Sequence, residues 1–164
     1  MPLTPDQLGF LMSKYATTIA AKRDLAEVKT FLPDFSAEEQ ERVAIELIFM
    51  QAFVTDYVLW KVFQERPERN QTMEAFFSFL DKTAKTDKES RAINKMMQSR
   101  LRRYGTVVVA TDNTQRFIDG VGLVFAHACG HPNDEKLAML GKINFSAKHK
   151  ATLDLVKAET TPIA

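Results

Sequence analysis

One stretch constrains the fold of this chain more than any other: residues 36–64, with the sequence SAEEQERVAIELIFMQAFVTDYVLWKVFQ. It opens with Ser36-x-x-Glu39, a capping box in which each side chain accepts a hydrogen bond from an N–H group at a helix start. From Val43 to Phe63 nearly every residue is apolar or aromatic, and neither glycine nor proline interrupts the run. We therefore predict one long helix over this stretch.

The middle of this predicted helix is apolar on every side. At about 100° per residue, the side that carries Glu46 also carries four large apolar side chains. These are Met50, Phe53, Tyr57 and Trp60. A surface helix keeps one side polar, whereas a helix that is apolar all round is usually buried from several directions. The stretch is therefore either the central rod of a bundle or half core and half interface.

Capping residues and apolar stripes at helical spacing recur before and after this stretch. The predicted helix starts are Thr4, Asn70 or Thr72, Thr86, Asp112, Pro132 and Ser146. The predicted helix ends include Gly105, Gly130 and Gly141. Residues 106–111 suit a strand or a helix, and we favour a helix because a lone strand has no partner.

The fold class that follows is all-α. We predict a single-domain multihelical bundle, residues 1–159, followed by a C-terminal tail, residues 160–164. Six or seven helices joined by short loops would pack around the central hydrophobic helix at about residues 36–64.

The composition favours a soluble protein of the cytoplasm. The chain has 164 residues, 45% hydrophobic and 26% charged, with a formal net charge of +1. These values are ordinary for one globular domain. The single cysteine, Cys129, excludes an internal disulfide and fits a reducing compartment, and the first residues lack the layout of a secretory signal. Glu46, Asp56 and Lys61 make it costly for the central helix to span a membrane, so we expect no membrane contact.

The densest group of metal-capable side chains follows the fifth predicted helix. Its members are His127, Cys129, His131, Asp134 and Glu135. On a helix, His127 and Cys129 point about 200° apart. Gly130 and Pro132 end that helix before His131, so two histidines four residues apart lose the alignment that a shared metal needs. We predict no metal and no cofactor, and we interpret Cys129 as a small core residue.

Other site patterns are absent or weak. The sequence has no Glu-x-x-His of a di-iron bundle, no His-Glu-x-x-His zinc helix and no phosphate-binding loop. Residues 82–103 are locally basic but lack an aromatic stacking pattern, so we expect no nucleic-acid binding. Gly120 and Gly122 each cost a helix about 1 kcal/mol relative to alanine. Their presence indicates that a neighbouring backbone or a ligand comes close.

Three ionisable residues lie within the apolar run: Glu46, Asp56 and Lys61. Glu46 and Asp56 are separated by about 15 Å along a helix axis, which is too far for a catalytic carboxylate pair. We expect each of the three to emerge at the rim of the apolar zone.

Two functions fit these features, and we recognise no known family in the residues. The first is a non-catalytic cytoplasmic module that acts through protein association, most simply as a homodimer, because the central helix has surplus apolar surface. The alternative is a small-molecule-binding bundle, with or without catalysis, that has an apolar pocket near Phe53, Tyr57 and Trp60. The candidate interface or pocket residues are Met50, Phe53, Tyr57 and Trp60, and no catalytic residue is assigned. In a monomer this ridge is either exposed or covered by another helix of the same chain.

Overall fold

The computed structural model describes residues 1–82, 84–110 and 113–160, and every regular element in them is helical. Helix α1 spans Pro5–Lys14 and continues through a π-helical segment, Tyr15–Ala20, into α2, Ala21–Phe31. The other helices are α3, Ala37–Phe63; α4, Pro67–Asp81; α5, Asp87–Ala110; α6, Thr114–Ala128; and α7, Glu135–Glu159. The predicted all-α multihelical bundle is confirmed, with the first two helices and the π-helical segment forming one continuous rod.

Capping boxes begin α1 and α3, as the sequence predicts. At α3, Oγ of Ser36 accepts a hydrogen bond from the Glu39 N–H at 3.2 Å, and the Glu39 carboxylate accepts one from the Ser36 N–H at 3.0 Å. Thr4 and Gln7 make the same reciprocal pair at α1. Each box satisfies two N–H groups that the helix itself leaves unpaired.

Several predicted boundaries are wrong. Helix α4 begins at Pro67, because proline at the first helical position has no N–H to leave unpaired; it does not begin at Asn70 or Thr72. Gly105 lies inside α5, so residues 106–110 are helical, as we favoured. The predicted start at Asp112 falls outside the described residues, and α6 is capped by Asn113.

Gly141 does not break α7, which runs from Glu135 to Glu159 without interruption. The predicted starts at Pro132 and Ser146 are wrong as well, because Asp134 caps this helix and Ser146 lies inside it. A Cβ at Gly141 would lie 2.8 Å from the Cβ of Phe125 on α6. Gly122 on α6 shows the reverse arrangement, since a Cβ there would lie 2.6 Å from the carbonyl oxygen of Ala138 on α7. These two glycines therefore let α6 and α7 pack closely, and the expected approach of a neighbouring backbone is confirmed at Gly122.

Helix α3 is the central rod. It contacts α2, α4, α5, α6 and α7, and residues 49–55 are all buried. Its most apolar 18-residue window has a mean hydropathy of 1.5, enough for a membrane span by length and composition, but 72% of that window is buried inside the bundle. The burial is what a core helix of a folded bundle requires.

Helix α7 brings a polar stripe into the core, spaced four residues apart: Asn144, Lys148 and Thr152. Nζ of Lys148 donates to both carboxylate oxygens of Asp24 on α2, at 2.8 and 2.7 Å, and both side chains are fully buried. Burial lowers the pKa of Lys148, and the Asp24 charge opposes that change. Thr152 accepts a hydrogen bond from Nε2 of Gln51 on α3 at 3.0 Å. The stripe fixes the register of α7 against α2 and α3, because each buried polar group needs its partner.

Gln64 ends α3 with φ 52° and ψ −126°. These angles match the first central position of a type II′ turn, a position that favours glycine. The turn closes through a 3.0 Å hydrogen bond from the Arg66 N–H to the Phe63 carbonyl. Such a backbone conformation costs a non-glycine residue about 1–3 kcal/mol.

We expect Gln64→Gly to stabilise the protein. The variant loses the strain but gives the unfolded chain extra freedom worth about 0.5–1 kcal/mol. The net gain of about 1 kcal/mol would raise the Tm by about 2–4 °C in a chain of this size, measured by far-UV circular dichroism. Gln64→Ala, which keeps a side chain at positive φ, is the control and should gain nothing. A Tm of the glycine variant at or below the wild-type value would contradict this account of the turn.

Candidate functional site: the aromatic cluster around Tyr57

Rings from four helices meet around Tyr57 of α3, and we call them the aromatic cluster. Its members are Phe53, Tyr57 and Trp60 of α3, Tyr104 of α5, Phe117 of α6, and Phe145 and His149 of α7. The Tyr57 ring centroid lies 5.5 Å from that of Phe117 and 5.7 Å from that of His149. Both separations fall in the range of about 4.5–7 Å over which aromatic rings attract each other.

The four candidate residues from the sequence run from the core to the surface along α3. Met50 is 0% exposed and Phe53 is 4% exposed, so both belong to the core of this chain. Tyr57 is half-buried, and Trp60 is 42% exposed. The chain therefore covers the first half of the predicted ridge with its own helices and leaves the second half accessible.

The side chains that cover Phe53 are themselves aromatic. The Phe53 ring stacks on Tyr104 of α5 at 4.8 Å, with 18° between the ring planes, and lies 6.1 Å from Phe145 of α7. These rings fill the space beside Phe53, where the alternative function predicts an apolar pocket. Three cavities of the described chain lie elsewhere: about 430 Å³ between α5 and α6, about 220 Å³ beside α1, α3 and α4, and about 440 Å³ along α2.

The accessible end of the cluster forms a small surface, which we call the Trp60 patch: Tyr57, Trp60, Lys61 and His149. The Trp60 and Tyr57 rings lie 6.1 Å apart, and Nζ of Lys61 lies 4.7 Å from the centre of the Tyr57 ring. Nε2 of His149 is buried without a hydrogen-bond partner in the described residues. Burial lowers the pKa of His149, and the positive charge of Lys61 lowers it further.

Glu46 does not emerge at the rim of the apolar zone, so that expectation is wrong. It is 2% exposed, and its two carboxylate oxygens accept hydrogen bonds from Nε and Nη2 of Arg100 at 2.7 and 2.6 Å. The hydrogen bond with Glu46 raises the pKa of Arg100. Asp56, paired with Arg69 at 2.9 Å, is half-buried, and Lys61 is exposed, as expected of rim residues.

Sequence reasoning missed this pair because its partners are 54 residues apart. One observation could have found it. Arg100 lies three residues after Met97 and four before Tyr104, so it shares a helix face with these two buried residues. A charge within an inward-facing stripe needs an opposite charge to face it.

Two reactive groups lie near this pair, and both are held in their neutral form. The Tyr104 side chain is completely buried, its hydroxyl has no partner in the described residues, and burial raises its pKa. Cys129 is 2% exposed, and burial together with the Glu46 charge raises the pKa of its thiol far above the usual value. Only a thiolate is a strong nucleophile, so Cys129 is a core residue rather than a reactive one.

The candidate metal residues diverge. Nδ1 of His127 lies 2.9 Å from Nη1 of Arg103 on α5, whereas Nε2 of His131 lies 3.7 Å from Oε1 of Glu39 on α3. Asp134 caps α7 by accepting a hydrogen bond from the Leu137 N–H at 3.0 Å. Within residues 1–82, 84–110 and 113–160, no three His, Cys, Asp or Glu side chains come together as metal ligands. The absence of a metal stays a prediction.

Comparisons with protein-family models, with curated proteins and with solved structures found no match to this chain. What the protein does is therefore inferred from the arrangement of its own residues.

The lowered pKa of His149 predicts a pH-dependent stability. The folded protein binds fewer protons at this ring than the unfolded chain, whose histidine pKa is about 6.5. The contribution of His149 is therefore complete above the unfolded pKa and is lost as the pH falls through that value towards the lower folded one. We expect His149→Phe, which keeps a ring against Phe145, to flatten the fall in Tm between about pH 7.5 and pH 5.5.

His127→Phe is the control for this measurement, because His127 is an exposed histidine outside the aromatic cluster. It should keep the wild-type dependence of Tm on pH. A His149→Phe variant whose Tm falls with pH as steeply as that of the wild type would contradict the assignment.

Proposed function

We propose that the protein is a non-catalytic module that acts by associating with a second copy of itself through the Trp60 patch. The observation that carries the proposal is the exposure of Trp60, the only tryptophan of the chain, at the solvent end of the aromatic cluster. Tryptophan and tyrosine are the residues that most often dominate the energy of protein contacts. Here one of each is adjacent on a rigid helix.

The patch is preorganised. Tyr57 and Trp60 lie one helical turn apart on α3, and the Tyr57 ring rests on Phe117, Phe145 and His149. Side chains that are already held in place lose little freedom on binding, so more of the contact energy appears as affinity.

The charge of the chain suits a second copy as the partner. The formal net charge of +1 gives two copies almost no long-range repulsion. The ammonium group of Lys61, the one permanently charged side chain of the patch, lies over the face of the Tyr57 ring. A contact between two such patches would therefore bury no charged group that lacks a favourable neighbour.

Other exposed apolar side chains are distributed over several elements. They are Phe10 on α1, Ile19 in the π-helical segment, Ile45 on α3, Met96 and Val109 on α5, Leu123 on α6, and Met139 and Ile143 on α7. Apolar side chains exposed singly are normal on a protein surface. Phe10 contacts the Phe79 ring at 4.8 Å, and Met139 and Ile143 lie four residues apart on α7. Trp60 differs because the ring cluster it belongs to continues through Tyr57 to the buried Phe53.

The same patch gives little support for catalysis. The imidazole of His149 is stacked on Phe145 at 5.8 Å, and the charge that acts on it is that of Lys61, which together with burial lowers its pKa. An acid–base or nucleophilic site orients its histidine with a carboxylate or a nucleophile instead. The patch therefore fits a contact surface better than a reaction centre.

The test is the solution mass by light scattering over a range of concentrations. The wild type should have twice the chain mass of 18.6 kDa. Trp60→Glu should dissociate with unchanged circular dichroism, because losing an interface hot spot costs about 2 kcal/mol or more, roughly a 30-fold weaker Kd.

Leu123→Glu is the matched control. Leu123 lies on α6, outside the Trp60 patch, and is 59% exposed. The substitution therefore introduces the same charge in place of an apolar residue that is more exposed than Trp60. This variant should stay dimeric. A monomeric wild type at every concentration, or a dimeric Trp60→Glu variant, would overturn the proposal.

A further inference from the structure

A groove of about 430 Å³ lies between α5 and α6, and we call it the Arg103 groove. It is lined by Arg103 and Thr106 of α5 and by Leu123, Val124 and His127 of α6. Its volume falls within the range of about 300–1,000 Å³ found for clefts that hold small organic ligands. The side chains of Arg103, Leu123 and His127 are exposed, so a ligand can reach them from solvent.

Two contacts between α5 and α6 fix the shape of the groove. At the first, Gly120 brings α6 so close to α5 that a Cβ there would lie 2.6 Å from Cγ1 of Val107. At the second, Nη1 of Arg103 lies 2.9 Å from Nδ1 of His127. The helices run antiparallel, because the contact earlier on α5 is the later one on α6. The other lining residues lie between the two contacts, so the groove is formed before any ligand arrives.

Arg103 brings hydrogen-bond donors to the groove without a carboxylate to receive them. A guanidinium has five N–H donors and accepts nothing, so Nδ1 of His127 is the acceptor in their contact. In the part of the chain that the structure describes, no Asp or Glu pairs with Arg103. Arg66, Arg69 and Arg100 each have such a partner. The lining of the groove therefore carries one permanent positive charge that no carboxylate balances.

The other lining residues limit what a ligand can offer. The Thr106 hydroxyl donates to the Arg103 carbonyl oxygen at 2.6 Å and has no second proton to give. Leu123 and Val124 form an apolar wall on the α6 side. A ligand that fits this lining has an anionic group for the guanidinium and a hydrocarbon part for the wall.

The guanidinium decides the anionic group. Its planar fork of donors matches the two oxygens of a carboxylate, and one guanidinium balances one negative charge. We propose that the Arg103 groove binds a small monocarboxylate with a short aliphatic chain. The groove shares no residue with the Trp60 patch and does not depend on association.

The probe is hexanoate, titrated into the full chain in about 150 mM sodium chloride, which screens the non-specific attraction of anions. Binding is followed by amide chemical shifts in isotope-labelled protein. We expect saturable shifts at Arg103, Thr106 and Val124, with a Kd in about the millimolar range for a ligand of this size. Arg103→Gln removes the charge-assisted hydrogen bonds and should weaken the Kd about 5- to 20-fold.

Arg102→Gln is the matched control. Arg102 is also exposed on α5, but it does not line the groove. Both variants lose the same charge, so an effect of overall charge alone would be equal in the two. The Kd of Arg102→Gln for hexanoate should stay within about twofold of the wild-type value. Both variants should keep the wild-type circular dichroism, because both side chains are exposed.

Two further probes separate the contribution of the charge from that of the chain. Hexan-1-ol lacks the charge and should bind the wild type at least about fivefold more weakly than hexanoate. Acetate lacks the chain and should bind at least about tenfold more weakly, because it loses the contact with the apolar wall. The proposal is overturned if no saturable shifts appear along the groove, or if Arg103→Gln loses no more affinity than Arg102→Gln. Binding of hexan-1-ol or acetate as tightly as hexanoate would overturn it too.

Discussion

The requirement that the middle of α3 be buried on every side organises this protein. Residues 49–55 are all buried, so no single partner helix can cover them, and five other helices contact α3. Burial of this kind also forces each polar group on α3 to find a partner. Glu46 therefore faces Arg100 of α5, and Gln51 faces Thr152 of α7. A buried charge without its partner would cost several kcal/mol, so these pairs select one arrangement of the helices around the rod.

Beyond this buried middle of α3, part of the aromatic ridge remains accessible. Helices α5 and α7 cover Phe53 with the rings of Tyr104 and Phe145, but Trp60 lies beyond their cover and keeps 42% of its surface. The same face of α3 is therefore buried core at Phe53 and exposed surface at Trp60. The tight turn at Gln64 follows immediately and leads into α4.

The sequence predicts what depends on neighbours along the chain. The capping boxes at Thr4 and Ser36, the length of α3 and the all-α class follow from local patterns. It does not predict what depends on partners distant in sequence. The sequence around Gly141 predicts a helix break, but in the structure this glycine makes room for Phe125 of α6. The sequence predicts Glu46 at the rim, but its buried position is possible because Arg100 of α5 pairs with it. The Arg103 groove is a further case, because its lining comes from two different helices.

Fluorescence quenching of Trp60 tests the central claim most directly, because it is the only tryptophan of the chain. Acrylamide quenching would be measured at increasing protein concentration, on samples whose mass is known from light scattering. The account predicts that Trp60 is readily quenched in the monomer and becomes shielded in parallel with dimer formation. A Trp60 that is already shielded in the monomer, or that is quenched equally in monomer and dimer, would contradict it.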